Sequence, residues 1–195
     1  MDTKREIVAG AKRLLWVVGY EAMSPRRLMD ESGVGQGSLY HHFRGKQDVA
    51  VAALEEVGLE LRIAADKIFE AQDDPIRAIQ AYLLVSRDGL KGCRIGRLAQ
   101  EKTVIDEPSL QGQLARYFDH VQGLVSRALK DAVRMGLINR SVDASAVAAA
   151  IIAVVQGGFV ISRATKNGKF IMQAAKGASG LLGALTVKPV ARLSQ

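Results

Sequence analysis

Apolar residues recur along this chain three and four positions apart, the period of helices buried on one side. Ile7, Ala11, Leu14, Leu15 and Val18 form the first such stripe and predict a helix from Thr3 to about Val18. Asp2 or Thr3 can cap it and Gly19 ends it. Ser24 then stands as an N-cap before Pro25, which suits the first helical position because its missing N–H has no partner to lose. Leu28 and Met29 supply the apolar side of this second helix, and Gly33 is placed to take the positive φ that closes it. Val34 is the one apolar residue of the turn and is expected to point inward. A third helix, Gln36 to Phe43, buries Leu39 and Phe43 at i, i+4.

The later pattern has the same period. Val49, Ala53, Val57, Leu61, Ala64 and Ile68 predict a fourth helix from Lys46 to about Phe69, long enough to link the first part of the chain to the rest. Asp74-Pro75 opens a fifth, expected to reach Asp88 and to bury Ile79, Tyr82, Leu83 and Val85. A loop to Cys93 and a short helix from Arg94 to Val104 come next. Glu107-Pro108 starts a long helix that stops at Arg134 before Met135-Gly136. Asp143 caps a helix over 144–165, and a last one is expected over 169–185. The fold class is therefore all-α, with about nine helices. Residues 1–46 form an N-terminal three-helix unit containing a helix-turn-helix, residues 47–186 a C-terminal helical bundle, and 187–195 a flexible tail.

The outward set of the third helix is unusual. Gln36, Gly37, Ser38, Tyr40, His41 and His42 are dense in hydrogen-bonding groups yet almost uncharged. A helix exposed for solubility alone carries Glu and Lys on that face. One that enters the major groove needs short donors and acceptors, with a glycine that permits close approach to the backbone. Arg44 and Lys46 follow beside the start of the next helix, whose free N–H groups also favour a phosphate.

The run Gly33-Val-Gly-Gln-Gly-Ser-Leu-Tyr-His-His-Phe-Arg-Gly-Lys46 resembles the signature of the TetR family of bacterial one-component repressors, which reads Gly-Val-Ser-x-Gly-Thr-Leu-Tyr-x-His-Phe-x-Ser-Lys. The likeness extends back through Ile7, Leu14, Gly19 and Tyr20. This chain departs in Gly35 and Gly45, where the family places hydroxyl caps; glycine at an N-cap costs only a few tenths of a kcal/mol. The resemblance implies a DNA-binding head, an effector-binding and dimerising body, and phosphate contacts from Tyr40 and Lys46. The expected DNA-binding residues are Ser24, Arg26, Gln36, Gly37, Ser38, Tyr40, His41, His42 and Lys46.

Composition changes this picture little. The net charge of +7 and pI near 9.7 suit an anionic partner. Residues 1–46 hold eight Lys/Arg against five acids, denser in positive charge than the remainder but not exclusively so. The motif, not the charge, carries the DNA-binding expectation. Aromatics are only 5%, so Ala, Val, Leu and Ile fill the core. Thr3 to Arg13 is charged and amphipathic, unlike a signal peptide, which makes the cytoplasm the expected location.

No His/Cys/acid spacing suits a metal and no nucleophile–base set is visible, so neither a cofactor nor enzymatic activity is expected. Cys93 is the single cysteine. It is placed to start a short helix with Lys91, Arg94 and Arg97 nearby, features that lower a thiol pKa. Gly92-Cys93-Arg-Ile-Gly-Arg-Leu-Ala-Gln-Glu101 also resembles the Gly-Cys-x-x-x-x-Leu-Ala-x-Glu element of one TetR branch, some members of which sense electrophiles through the cysteine. An inert buried thiol is the competing reading. The expected effector is a small apolar or aromatic molecule, with Cys93, Tyr82, Tyr117, Phe118 and Val121 as sensor residues and Phe69, Leu83 and Leu98 as further lining candidates.

Residues 144–162 carry no charge, which raises a membrane span, but the run is alanine-rich and broken by Gln156 and Gly157-Gly158. A pair of helices, 144–165 and 169–185, meeting a second copy in a four-helix dimer interface accounts for it better. The sequence thus reads as a homodimeric repressor released from a palindromic operator by an effector. A thiol-based regulator acting through Cys93 and an effector-blind DNA-binding activator or organiser are the alternatives.

Overall fold

The computed structural model describes residues 2–187. Among them are nine α-helices: α1 (Thr3–Val17), α2 (Pro25–Ser32), α3 (Gln36–His42), α4 (Lys46–Glu70), α5 (Pro75–Leu84), α6 (Lys102–Asp106), α7 (Pro108–Arg134), α8 (Ala144–Ala164) and α9 (Phe170–Ala184). A 3-10 helix, Gly96–Gln100, precedes α6. The chain forms two compact units. One holds the residues up to Ala64 together with Leu90–His120; the other holds Ala65–Gly89 and the residues from Val121 on. The unit containing the first three helices is therefore larger than the segment 1–46 that the motif delimits.

In the first unit the α1 stripe is buried as its spacing requires: Ile7, Ala11 and Leu15 are almost inaccessible. The Asp2 carboxylate accepts from the Arg5 N–H (3.4 Å), and Gly19 leaves the helix at φ +89°. Gly10 lets α2 come close, since a Cβ there would stand 3.2 Å from Ser32 Cβ. Leu28, Leu39, Phe43, Val49, Ala53 and Leu54 complete the core around α1. Burying each of the larger ones contributes about 1.5–3 kcal/mol, enough to hold helices too short to persist alone.

Two helix boundaries differ from the sequence reading. α5 stops at Leu84, not Asp88, because the Arg87 guanidinium folds back onto the carbonyls of Tyr82 (2.6 Å), Leu83 (2.8 Å) and Val85 (3.0 Å). Those are the carbonyls a further turn would have used. The helix expected over 94–104 is two pieces, broken at Glu101, whose backbone is extended (φ −95°, ψ 115°).

In the second unit, Asp143 caps α8 through Ser145 N–H (2.8 Å) and Ala146 N–H (3.0 Å). α8 and α9 pack tightly where Gly158 meets Ile171: a Cβ at Gly158 would lie 3.1 Å from the Ile171 Cα. The fully buried Ser162 hydroxyl accepts from the Ile171 N–H (3.1 Å), fixing the start of α9. On α9, nothing lies within 4 Å of where a Cβ would stand at Gly177 or Gly180. By length and composition α8, with mean hydropathy 2.2, could cross a membrane, and only 33% of that window is buried. Beyond α9, Ile138 and Thr186 form an antiparallel bridge and the Val187 N–H donates to the Leu137 carbonyl (2.8 Å). Val187, placed in the expected flexible tail, is thus held; 188–195 lie outside the described residues.

Candidate DNA-binding site

α2 and α3 are set by local chemistry. The Ser24 hydroxyl accepts from the Arg27 N–H (3.2 Å), Pro25 opens α2, and Gly33 closes it in the left-handed region at φ +70°. Val34 is half-buried in the turn. Gly35 caps α3 without a side-chain hydrogen bond, as its missing side chain dictates. Arg13 of α1 pairs with Glu31 and donates to its carbonyl (3.1 Å), bracing α2 from behind.

Leu39 (3% exposed) and Phe43 anchor α3, and the rest of the helix points outward. Gln36, Gly37, Ser38, His41 and His42 are exposed, Tyr40 is 49% exposed, and the two histidine rings lie edge to face at 4.9 Å. Ser24 and Arg26 are exposed on the adjoining end of α2. Lys46, the first residue of α4, is half-buried; its ammonium donates to the Glu21 carbonyl (3.3 Å) and lies 4.3 Å from the Tyr20 ring centroid. Burial, with the Glu107 carboxylate second, pushes the Tyr20 phenol above its ordinary value and keeps it neutral. The Asp48 carboxylate in the first turn of α4 accepts from the Arg44 N–H (3.1 Å), fastening the chain just ahead of the helix.

Contacts that the sequence did not reveal connect this head to the segment after residue 90. The Glu101 carboxylate accepts from the N–H groups of Tyr20 (3.1 Å) and Glu21 (2.7 Å), and Thr103 Oγ1 donates to the Glu21 carboxylate (2.9 Å). Trp16 Nε1 donates to the Gly92 carbonyl (3.0 Å), while Arg97 donates to the Trp16 carbonyl. Lys12 pairs with Glu56 and Glu60, and Glu60 also pairs with Arg94 (2.9 Å). Desolvation opposes both charged forms, but these hydrogen bonds outweigh it, raising the Lys12 pKa and lowering that of Glu60. The available signal was the closing Glu of the Gly-Cys-x-x-x-x-Leu-Ala-x-Glu element, which marks Glu101 but says nothing of its partners 80 and 81 residues away.

The surroundings of Cys93 correct the expectation of a thiol flanked by stabilising cations at a helix start. Cys93 is buried (7% exposed), three residues ahead of the 3-10 helix, and its sulfur accepts from the Gly96 N–H (3.2 Å). All three cations have other engagements: Arg94 with Glu60, Arg97 with the Trp16 carbonyl, and Lys91 over the Trp16 ring at 5.4 Å. Cation–π contacts to the Trp16 ring and the bond to its carbonyl thus take these cations in place of the thiol.

The other effector candidates divide between the units. Tyr117 (buried) and Phe118 (half-buried) stack edge to face at 5.2 Å in the first. Tyr82, buried, belongs to the second, with Phe69 at 6.0 Å; Val121 is buried there too. Phe69 also lines an open groove of about 260 Å³ with Pro75, Ala78, Leu124 and Ala128, rimmed by Asp73, Arg127 and Asp131.

Residues 7–53 match the family described as bacterial regulatory proteins, tetR family, and residues 73–177 match the C-terminal domain of LmrA/YxaF-like transcriptional regulators. The chain is 27% identical over 173 residues to an uncharacterised HTH-type transcriptional regulator, YxaF, of Bacillus subtilis, covering 85% of this chain and 87% of that one. It is 28% identical to the HTH-type transcriptional regulator LmrA of the same organism, covering 85% and 89%. Its fold matches the reduced form of NemR from E. coli with a TM-score of 0.82 at 20% identity, over 97% of this chain and 100% of that one. With a helix-turn-helix head and a helical body each matched, the chain belongs to the TetR family and is a DNA-binding transcriptional regulator of that type.

Proposed function

We propose that the chain is a homodimeric repressor that reads a palindromic operator and is released from it by a small apolar or aromatic effector. The observation that carries the reading is the outward face of α3, polar, nearly uncharged and fully presented around a buried Leu39. In this reading Gln36, Ser38, His41 and His42 meet base edges, and Gly37 allows the approach. Tyr40, Lys46, Ser24 and Arg26 hold phosphates. Selecting duplexes from a random pool tests it: the enriched sites are expected to be inverted repeats with half-sites about a helical turn, or roughly 10 base pairs, apart. Enrichment without symmetry would refute the dimeric reading.

The exposed apolar residues of α8 and α9 support dimerisation through that pair. Val160 (60% exposed) and Leu181 (74% exposed) are too accessible for a buried role in one chain, and Gly177 and Gly180 leave open backbone beside them. Leu181→Arg is expected to yield a monomer in sedimentation and to lose operator affinity, since two heads then no longer bind together.

An effector of one or two rings would find room in the groove beside Phe69, which is lined by none of Cys93, Tyr82, Tyr117, Phe118 and Val121. Its volume of about 260 Å³ falls just under the usual range for drug-sized ligands, about 300–1,000 Å³. Release requires that the effector bind the non-DNA arrangement better than the DNA-bound one; equal affinity shifts nothing. A thermal-shift screen of aromatic compounds on the wild type and Phe69→Ala locates the site. Hits whose stabilisation survives Phe69→Ala bind elsewhere.

A further inference from the structure

We propose that Glu101 is a positioning residue for DNA binding, acting through the Tyr20–Glu21 peptide on Lys46. The proposal rests on the phosphate-holding role given to Lys46 above. The Glu101 carboxylate seats on two successive N–H groups, Tyr20 at 3.1 Å and Glu21 at 2.7 Å. The carbonyl of that same Glu21 holds the Lys46 ammonium at 3.3 Å, and the Tyr20 ring lies under it at 4.3 Å. The carboxylate therefore fixes, one residue away, both surfaces that orient the cation.

The approach is specified by the chain on both sides. Gly19 stands at φ +89°, and a Cβ there would lie 2.2 Å from Glu101 Oε1, so the seat requires glycine for conformation and for space. Between the 3-10 helix and α6 the backbone of Glu101 is extended (φ −95°, ψ 115°), and its N–H and carbonyl still serve the helices on either side, which leaves the carboxylate free for this contact. Thr103 adds a second tie, from its hydroxyl to the Glu21 carboxylate (2.9 Å).

The direction of the effect separates positioning from plain electrostatics. Removing an acid from a DNA-binding protein raises its affinity for the polyanion. Loss of the seat does the reverse. The test uses the full chain and the duplex that the wild type selects, with affinity read by fluorescence anisotropy at one fixed salt concentration. Glu101→Gln is expected to bind about fivefold more weakly or worse, with unchanged dimerisation and with displaced Tyr20 and Glu21 amide resonances. In a Lys46→Gln background the same change is expected to be silent, within about twofold, because its target is gone. Equal or tighter binding by Glu101→Gln, or full additivity with Lys46→Gln, overturns the proposal. If Glu101→Gln fails to fold, Thr103→Val carries the same test: weaker binding that Lys46→Gln abolishes supports it, and unchanged binding overturns it. A wild type that selects no duplex overturns the repressor reading itself, whereas a wild type that binds beside an unaffected Glu101→Gln overturns only this one.

Discussion

Tyr40→Phe removes one hydroxyl from the α3 face and little else. The side chain is 49% exposed, so its loss should leave stability within about 0.5 kcal/mol. A hydrogen bond to a charged group contributes about 1.5–3 kcal/mol, so each head that loses a phosphate contact should bind about one to two powers of ten more weakly. The hydroxyl is uncharged and releases no counterion, so the dependence of affinity on salt should keep its slope. Lys46→Gln provides the contrast: it should weaken binding and also flatten that slope by about 0.9 per head. Anisotropy titrations of the selected duplex at several salt concentrations measure both quantities, with thermal unfolding as the control for stability. If Tyr40→Phe binds as tightly as the wild type, the hydroxyl touches no phosphate, and the docking of α3 argued from its exposed face is wrong.

Two further predictions concern packing and pH. Gly158→Ala gains about 1 kcal/mol of helix propensity but drives a methyl to within 3.1 Å of the Ile171 Cα, an overpacking cost of about 1–3 kcal/mol; the melting temperature should fall. Gly112→Ala, with nothing within 4 Å, should raise it, and a rise for both would mean that α8 and α9 are less closely packed than described. Because the Glu60 pKa is lowered from 4.5, its ion pairs with Lys12 and Arg94 contribute above that pH and are lost as the pH falls through the folded value. Because the Lys12 pKa is raised from 10.5, the Lys12 share is fully present below that pH and lost as the pH rises through its folded value. The stability difference between wild type and Glu60→Gln should therefore be constant between these limits and vanish in acid; a difference that persists in acid refutes the pairing.

Much of the fold was legible because its signals are local. Asp2, Ser24-Pro25, Gly33, Asp74-Pro75 and Asp143 each act within one helical turn, and each marks the boundary that the structure shows. The i, i+4 burial of Leu39 and Phe43 fixed which side of α3 faces out. What could not be read depends on partners distant in sequence. Arg87 ends α5 by turning back on it, and Glu101 interrupts a helix for N–H groups 80 and 81 residues away. The cations around Cys93 looked poised for a thiolate only because Trp16, their actual partner, is 75 or more residues upstream.

The α8–α9 pair is secured at both of its ends. Ser162 pins the entry to α9, and the Ile138–Thr186 bridge with the Val187–Leu137 contact pins its exit. Slipping α9 along α8 would strip the buried Ser162–Ile171 hydrogen bond. A second copy arriving on this face would meet a surface already in register, and the encounter would need no segment to order as it docks.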